Sequence, residues 1–255
     1  MRNSRALNNR AAIAKGDNVS HFLFIHGAFH GAWCWQKTIT ELEKRGHSAK
    51  AIDLPGQGED HTPLKDVTLD TMVDKIAATL AHSPAPVVLV GHSLGGIPIS
   101  VTGEKVPERI KTLVYLSAFL PRDGESLLEI EGRNPKAVVP QSMVFDADRI
   151  SGTIMLDKVR DLFYHDCTDA DVAFASARLR PQALAALMTK VHLTEDRFGR
   201  IPRVYIECTD DHALSTEIQL DMIEKSPPVD VRRLHASHSP FLSMPDKLAE
   251  ALSDL

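Results

Sequence analysis

The sequence predicts an α/β fold: a mostly parallel sheet flanked by helices, with a helical block inserted between two of its strands. Three observations predict it. Short apolar runs without polar alternation recur between helical stretches, as in a parallel sheet covered on both faces. That rhythm stops after Pro121 and resumes near residue 199, so a separate helical piece is expected between them. The 255 residues, 43% hydrophobic and 25% charged, are enough to bury the core of one such domain.

Each element follows from local pattern. The opening "MRNSRALNNRAAIAKGDN" carries Arg2, Arg5, Arg10 and Lys15 and lacks the apolar run of a secretory signal, so residues 1–19 are expected to be a flexible extension. "HFLFI" is a buried strand that ends at His26-Gly27. A helical segment is expected to follow, through Trp35 and Leu42 to Gly46, and "HSAKAIDL" is a strand stopped by Pro55-Gly56. Leu69, Met72, Val73, Ile76, Ala77 and Leu80 recur at helical spacing, which predicts a helix over 68–82. Residues 86–90, "PVVLV", are the next strand, followed by a turn, a helix to about Lys105 and the strand "IKTLVYLSAF". Residues 121–198 offer helix-like pieces, "DADVAFASARL" and "PQALAALMTKV" among them, and no convincing strand. The sheet then resumes with "PRVYIECT", a helix at 215–225, "VDVRRLH" and a last helix from Pro245. The expected division is a core of 20–120 and 199–255 with a helical cap at 121–198.

Composition narrows the functional classes. A net charge of −5 argues against nucleic acid or an anionic membrane surface as partner. No apolar stretch approaches the roughly 20 residues that span a bilayer. Cys34, Cys167 and Cys208 are odd in number, far apart and without a CxxC pair, which suggests free thiols, a reducing compartment and a cytoplasmic location.

The chemistry enters at "GHSLG", residues 91–95. A serine between two glycines, where a strand becomes a helix, is the context of a nucleophile elbow. The serine is forced into an unfavourable backbone conformation so that its hydroxyl projects, and the strand and helix approach too closely for a β-carbon at either flank. Pro98 fits the first turn of the helix, where the N–H it lacks would have no partner. A serine hydroxyl needs a base, itself oriented by an acid, in the chain order serine, acid, histidine. "VYIECTDDHAL" offers Asp210 and Asp211 at a strand end, and both stay open on this reading. Of His235 and His238, His238 is expected to be the base, because His235 still belongs to the strand end.

An oxyanion hole needs backbone N–H donors: Leu94, at the positive end of its helix, and a donor from Gly27-Ala28 in "HGAFHG". Gly27 and Phe29 of the same loop are expected to touch substrate. His26 and His30 stand four apart in a Gly-rich loop without a third ligand, so no metal is expected there. His92 is expected to pack inside the elbow, and Met143, Met155 and Met188 to fill the cap core or line a pocket.

"FLFIHGAFHGAWCW", "AIDLPGQG", "VGHSLGG", "FGRIPRVYIECTDDHAL" and "ASHSPFLSMPDKLAE" together resemble the plant methylesterase and hydroxynitrile lyase family of α/β-hydrolases, which includes the salicylic-acid-binding esterase. Bacterial carboxylesterases and pyrethroid hydrolases are similar too. The likeness runs over residues 22–252, cap included. It implies Ser93 as nucleophile, His238 as base, Asp211 as acid, and Ala28 and Leu94 as oxyanion donors. The interval from Asp211 to His238 is one residue shorter than in the plant members, which keeps Asp210 in contention. The family's lyases carry a threonine at the position of Gly27 and a lysine at that of Ser239; neither is present here.

The expected function is therefore a serine carboxylesterase acting on small to medium apolar esters through an acyl-enzyme. No metal or organic cofactor is expected, and the expected partner is a small-molecule ester, with a homodimer left open. Alternatives are a lactonase using the same residues, a cofactor-independent lyase on this fold, and a non-enzymatic ligand receptor.

Overall fold

The computed structural model describes residues 19–255; the extension expected at 1–19 falls, but for Val19, outside them. The first described strand lies next to one edge of the sheet. β1 (His21–Ile25) is followed by a 3-10 turn at Ala32–Trp35, α1 (Gln36–Lys44) and β2 (Ser48–Ile52). Then come α2 (Leu69–Ala81), β3 (Val87–Ser93), α3 (Gly96–Lys105) and β4 (Ile110–Ala118). After the inserted block the core resumes with β8 (Arg203–Cys208), α8 (Thr216–Lys225), β9 (Asp230–Leu234), α9 (Pro240–Ser243) and α10 (Pro245–Leu252). The six core strands are ordered β2-β1-β3-β4-β8-β9, and every pairing is parallel.

Period-2 alternation sends the side chains of each central strand to opposite faces, and both faces are buried. Leu23, Ile25, Leu89, Leu113 and Tyr115 join the core under α2, α3 and α8. Phe22, Phe24, Val88, Val90, Val114 and Leu116 join the core under α1 and α10. A strand buried on both sides cannot afford polar alternation, which is why these runs read as continuously apolar. Truncating one such residue, Leu89→Ala for instance, costs about 2–5 kcal/mol. α2 starts where expected because Thr68 and Thr71 cap each other reciprocally, at 3.2 and 2.9 Å.

The inserted block differs from the helical cap expected from the sequence. It holds α4 (Leu127–Glu131), β5 (Met143–Phe145), β6 (Ser151–Ile154), α5 (Leu156–Phe163), α6 (Asp169–Ser176), β7 (Gln182–Ala183) and α7 (Ala185–Met188). β5, β6 and β7 form a three-stranded antiparallel sheet. "PQALAALMTKV" is thus a short strand and a single helical turn, not one helix. Strands of two to four residues carry too little periodicity to be read alone; cross-strand pairing makes them.

The strand order fixes where a ligand can sit. β1 and β3 are neighbours whose following segments lead to helices on opposite faces, so a crevice opens beyond their carboxyl ends. The block between β4 and β8 lies over that crevice.

Candidate active site

Ser93 ends β3 with φ of +53°, the left-handed region that a β-carbon disfavours. The flanking glycines make this possible. A β-carbon on Gly91 would meet the Gly95 carbonyl oxygen at 2.7 Å, and one on Gly95 would meet the carbonyl oxygens of His26, His92 and Ile25 at 2.8–2.9 Å. These obstacles are backbone atoms, which cannot swing aside. The elbow is held shut by Gly95 N–H donating to the His92 carbonyl at 2.7 Å and Phe119 N–H donating to the Ser93 carbonyl at 3.0 Å. α3 begins at Gly96, so Pro98 sits in its first turn.

His238 lies in the loop after β9, buried, and its Nδ1–H donates to Asp211 Oδ2 at 2.6 Å. The carboxylate accepts three further bonds: from Ala213 N–H at 2.7 Å and Leu214 N–H at 2.9 Å on Oδ1, and from the Ser117 hydroxyl on Oδ2. Four donors fix its position. Nε2 is the imidazole nitrogen left for the cavity that His238 and Ser93 both line. Asp210, the competing acid, keeps its side chain half exposed beside His165, and its carboxylate makes no bond to His238. His235 is exposed and bonds Thr209.

The loop after β1 is built by two histidines acting on consecutive carbonyls. His26 Nδ1–H donates to the Gly27 carbonyl at 2.8 Å while its Nε2 accepts Leu54 N–H at 3.0 Å. His30 Nδ1–H donates to the Ala28 carbonyl at 2.7 Å while its Nε2 accepts the Tyr164 hydroxyl at 2.6 Å. In a planar trans peptide the N–H points opposite to the C=O. Pinning the Gly27 carbonyl on His26 therefore turns Ala28 N–H the other way. Burial holds both imidazoles in the neutral form, with the pKa of His30 lowered to about 3. Among the described residues no acceptor takes the N–H of Ala28 or of Leu94, and both residues line the cavity. Gly27 is not part of that lining; it sits behind Ser93, where an added β-carbon would stand 2.8 Å from the serine's own. Phe29 does line the cavity, at φ of +67°, with its carbonyl taken by Arg180 N–H at 2.9 Å.

The cavity measures about 420 Å³ and is roofed by the inserted block. Its wall is mainly apolar, with Leu127, Val139, Met143, Phe163, Leu187 and Met188 prominent. Met155 is not part of it. The roof is tied to the core next to the base: Ser237 N–H donates to Asp166 Oδ2 at 2.9 Å, and the Ser237 hydroxyl reaches the other oxygen of the same carboxylate.

Compared with known proteins, residues 22–251 match the α/β hydrolase family. The chain belongs to that family. It is 34% identical over 249 residues to putative methylesterase 11, chloroplastic, of Arabidopsis thaliana, covering 93% of this chain and 64% of that protein. It thus spans less than two thirds of the length of that relative. Methyl jasmonate esterase 1 of Vitis vinifera is 31% identical, with 92% of this chain and 96% of that one covered. Among solved structures, a pyrethroid hydrolase from Sphingobium faniae JZ-2 superposes with a TM-score of 0.83 at 30% identity, covering 92% of this chain and 96% of that one.

Several parts of this hydrolase site escaped sequence reasoning. His92 was expected only to pack, yet its Nε2–H donates to the His238 carbonyl at 2.8 Å and its ring lies 4.4 Å from the His238 ring. Ser117 and Glu131 gave no signal either. The three cysteines are free and buried, and burial raises their thiol pKa values, that of Cys167 to about 12. Among the described residues, His165, Asp210 and His212 form the one metal-compatible group, outside the cavity. His165 Nε2 stands 4.0 Å from Asp210 Oδ2, against the ~3.3 Å between ligand atoms that tetrahedral zinc bonds imply. His165 Nε2 and His212 Nδ1 are also spent on the carbonyls of Asp210 and Asp161. No described helix is long and apolar enough to cross a membrane.

Proposed function

We propose that this α/β hydrolase is a carboxylic-ester hydrolase working through Ser93, His238 and Asp211 on small to medium esters with apolar bodies. The observation that carries the reading is the buried His238–Asp211 pair at one end of a cavity that also receives Ser93 and two backbone N–H groups without protein acceptors. Ser93 Oγ attacks the ester carbonyl while His238 Nε2 takes its proton. The N–H groups of Ala28 and Leu94 stabilise the oxyanion, a contribution of about 2.7–4 kcal/mol per donor in comparable sites. The imidazolium, stabilised by Asp211, returns the proton to the departing alcohol. Water, deprotonated by the same nitrogen, then releases the acid and restores Ser93.

The methylesterase, methyl jasmonate esterase and pyrethroid hydrolase names of its relatives support ester cleavage as the reaction class. The cavity volume and its apolar wall support the substrate size. Glycine at 27 and serine at 239, in place of the lyases' threonine and lysine, favour hydrolysis over cyanohydrin cleavage.

Labelling with a fluorophosphonate, alongside turnover of para-nitrophenyl esters, tests the reading. Wild type is expected to label and to cleave. Ser93→Ala is expected to lose the label and at least ~10⁴-fold in kcat. Activity within about tenfold of wild type in Ser93→Ala would refute the assignment.

A further inference from the structure

The roof of the cavity contains a carboxyl group that ester hydrolysis does not use. Glu131 is the last residue of α4, buried, and it lines the cavity together with Ser93 and His238. The only hydrogen bond to its carboxyl among the described residues comes from Asn134 Nδ2 to Oε1, at 3.4 Å. Asn134 is itself fixed, since its Oδ1 accepts the Ser215 hydroxyl at 2.9 Å and Lys136 N–H at 3.1 Å. The carboxyl is therefore held in place by one oxygen while the other has no donor. The cavity wall to which it belongs is mainly apolar, with Leu127, Leu128, Val139, Met143, Leu187 and Met188 among its residues. A buried acid with half its acceptors empty is costly, and an apolar residue of similar volume would fill this wall without that cost.

We propose that Glu131 determines specificity by accepting a hydrogen bond from the substrate, and that preferred esters carry a donor, a protonated amine or a hydroxyl, at the end remote from the scissile bond. This inference rests on the ester-hydrolase reading above. A substrate donor completes the half-satisfied carboxyl in a water-poor site, where a charge-assisted hydrogen bond is strong. Glu131 then fixes which end of an otherwise apolar molecule goes under the roof, and so which carbonyl meets Ser93.

The titratable and charged groups that share the cavity with Glu131 are His30, His92 and His238, with Arg149 from the turn between β5 and β6; the Asp211 carboxylate acts on it from behind His238, outside the cavity lining. The charges on its flanking segments are already paired: Glu129 with Lys190, Arg133 with Glu125 and Asp221, and Lys136 with Glu217. None of them supplies the missing donor. Burial raises the Glu131 pKa to about 7, so the group passes from neutral to ionised across the neutral range. Preference for an ammonium should therefore grow as pH rises through that value.

The test uses three para-nitrophenyl esters, of para-(aminomethyl)-, para-(hydroxymethyl)- and para-ethylbenzoic acid, which differ only in the terminal group. Wild type at about pH 8 is expected to favour the aminomethyl ester over the ethyl ester at least ~10-fold in kcat/KM, mostly through KM, with the hydroxymethyl ester between. The ratio is expected to fall to ~1 or below near pH 6, because both esters use the same base while a neutral Glu131 no longer offsets the burial of the ammonium in an apolar cavity. Glu131→Gln should collapse the ratio and its pH dependence, and Glu131→Asp should restore part of both. If Glu131→Gln does not fold, the wild-type pH series decides alone. A ratio identical in wild type and Glu131→Gln, or a wild-type ratio of ~1 at every pH, overturns the proposal. Cleavage of all three esters that survives Ser93→Ala overturns instead the hydrolase reading beneath it.

Discussion

The strand ends and the roof treat a buried carboxylate in opposite ways. At the sheet, Asp211 accepts four hydrogen bonds and can do nothing but hold His238. In the roof, Glu131 accepts a single long one and keeps an oxygen in reserve. Full satisfaction gives a fixed position and hence a fixed reaction. Incomplete satisfaction leaves free energy for a visitor to collect, which is the physical basis of selectivity. The sheet ends thus carry what is common to a reaction class, and the inserted block carries what makes one member choosy.

The largest expected effect breaks the satisfied side. Asp211→Asn would present His238 in the wrong tautomer and is expected to lower kcat about 10⁴-fold, whereas Asp210→Asn should stay within about twofold. Steady-state kinetics on one ester checks both, and equal losses would remove the distinction between the two acids.

Next in size is the unsatisfied side. The folded-state pKa of Glu131 is about 7 against 4.5 for an ordinary glutamate, a raised acid. Below the unfolded value the group is neutral in both states and carries no penalty. As pH climbs from 4.5 to 7 the folded state resists ionisation, and above 7 the full penalty applies. Glu131→Gln is therefore expected to stabilise the protein by about 3 kcal/mol at about pH 8 and by little near pH 4, read as urea midpoints. A pH-independent difference would mean the carboxyl is not desolvated.

A smaller effect probes the tie between the Ser93 and His238 segments. His92→Leu leaves the His238 carbonyl without its donor and is expected to lower kcat about 10- to 100-fold with KM little changed. His92→Gln, which keeps an N–H at similar reach, should recover part of that loss. Equal damage in both variants would mark His92 as packing alone.

Much of this molecule is legible from its residues, and the illegible parts share a cause. The core strands are long, apolar and periodic, so "PVVLV" and "IKTLVYLSAF" announce themselves. The elbow is legible because it needs glycine twice within five residues. β5, β6 and β7 are invisible because "MVF", "SGTI" and "QA" hold no period and depend on one another. His26 and His30 resemble spaced ligands in one dimension, but their partners, Leu54 and Tyr164, lie 28 and 134 residues away. Glu131, in "LLEIEGR", looks like any solvated helix charge until the roof folds over it. The choice between Asp210 and Asp211 turns on which way two adjacent side chains point. The bonds from Ser117, Ala213, Leu214 and His238 decide that.

The fastening of Ser237 to Asp166 has a consequence for the roof. Raising the roof on that side would tear two hydrogen bonds from the residue next to His238 and leave the imidazole held by Asp211 and His92 alone. The cavity lining elsewhere carries no such tie: Leu128, Phe145 and Met188 line it while remaining exposed, and Arg149 lines it with them. The roof is thus fastened beside His238 and greasy where it meets solvent.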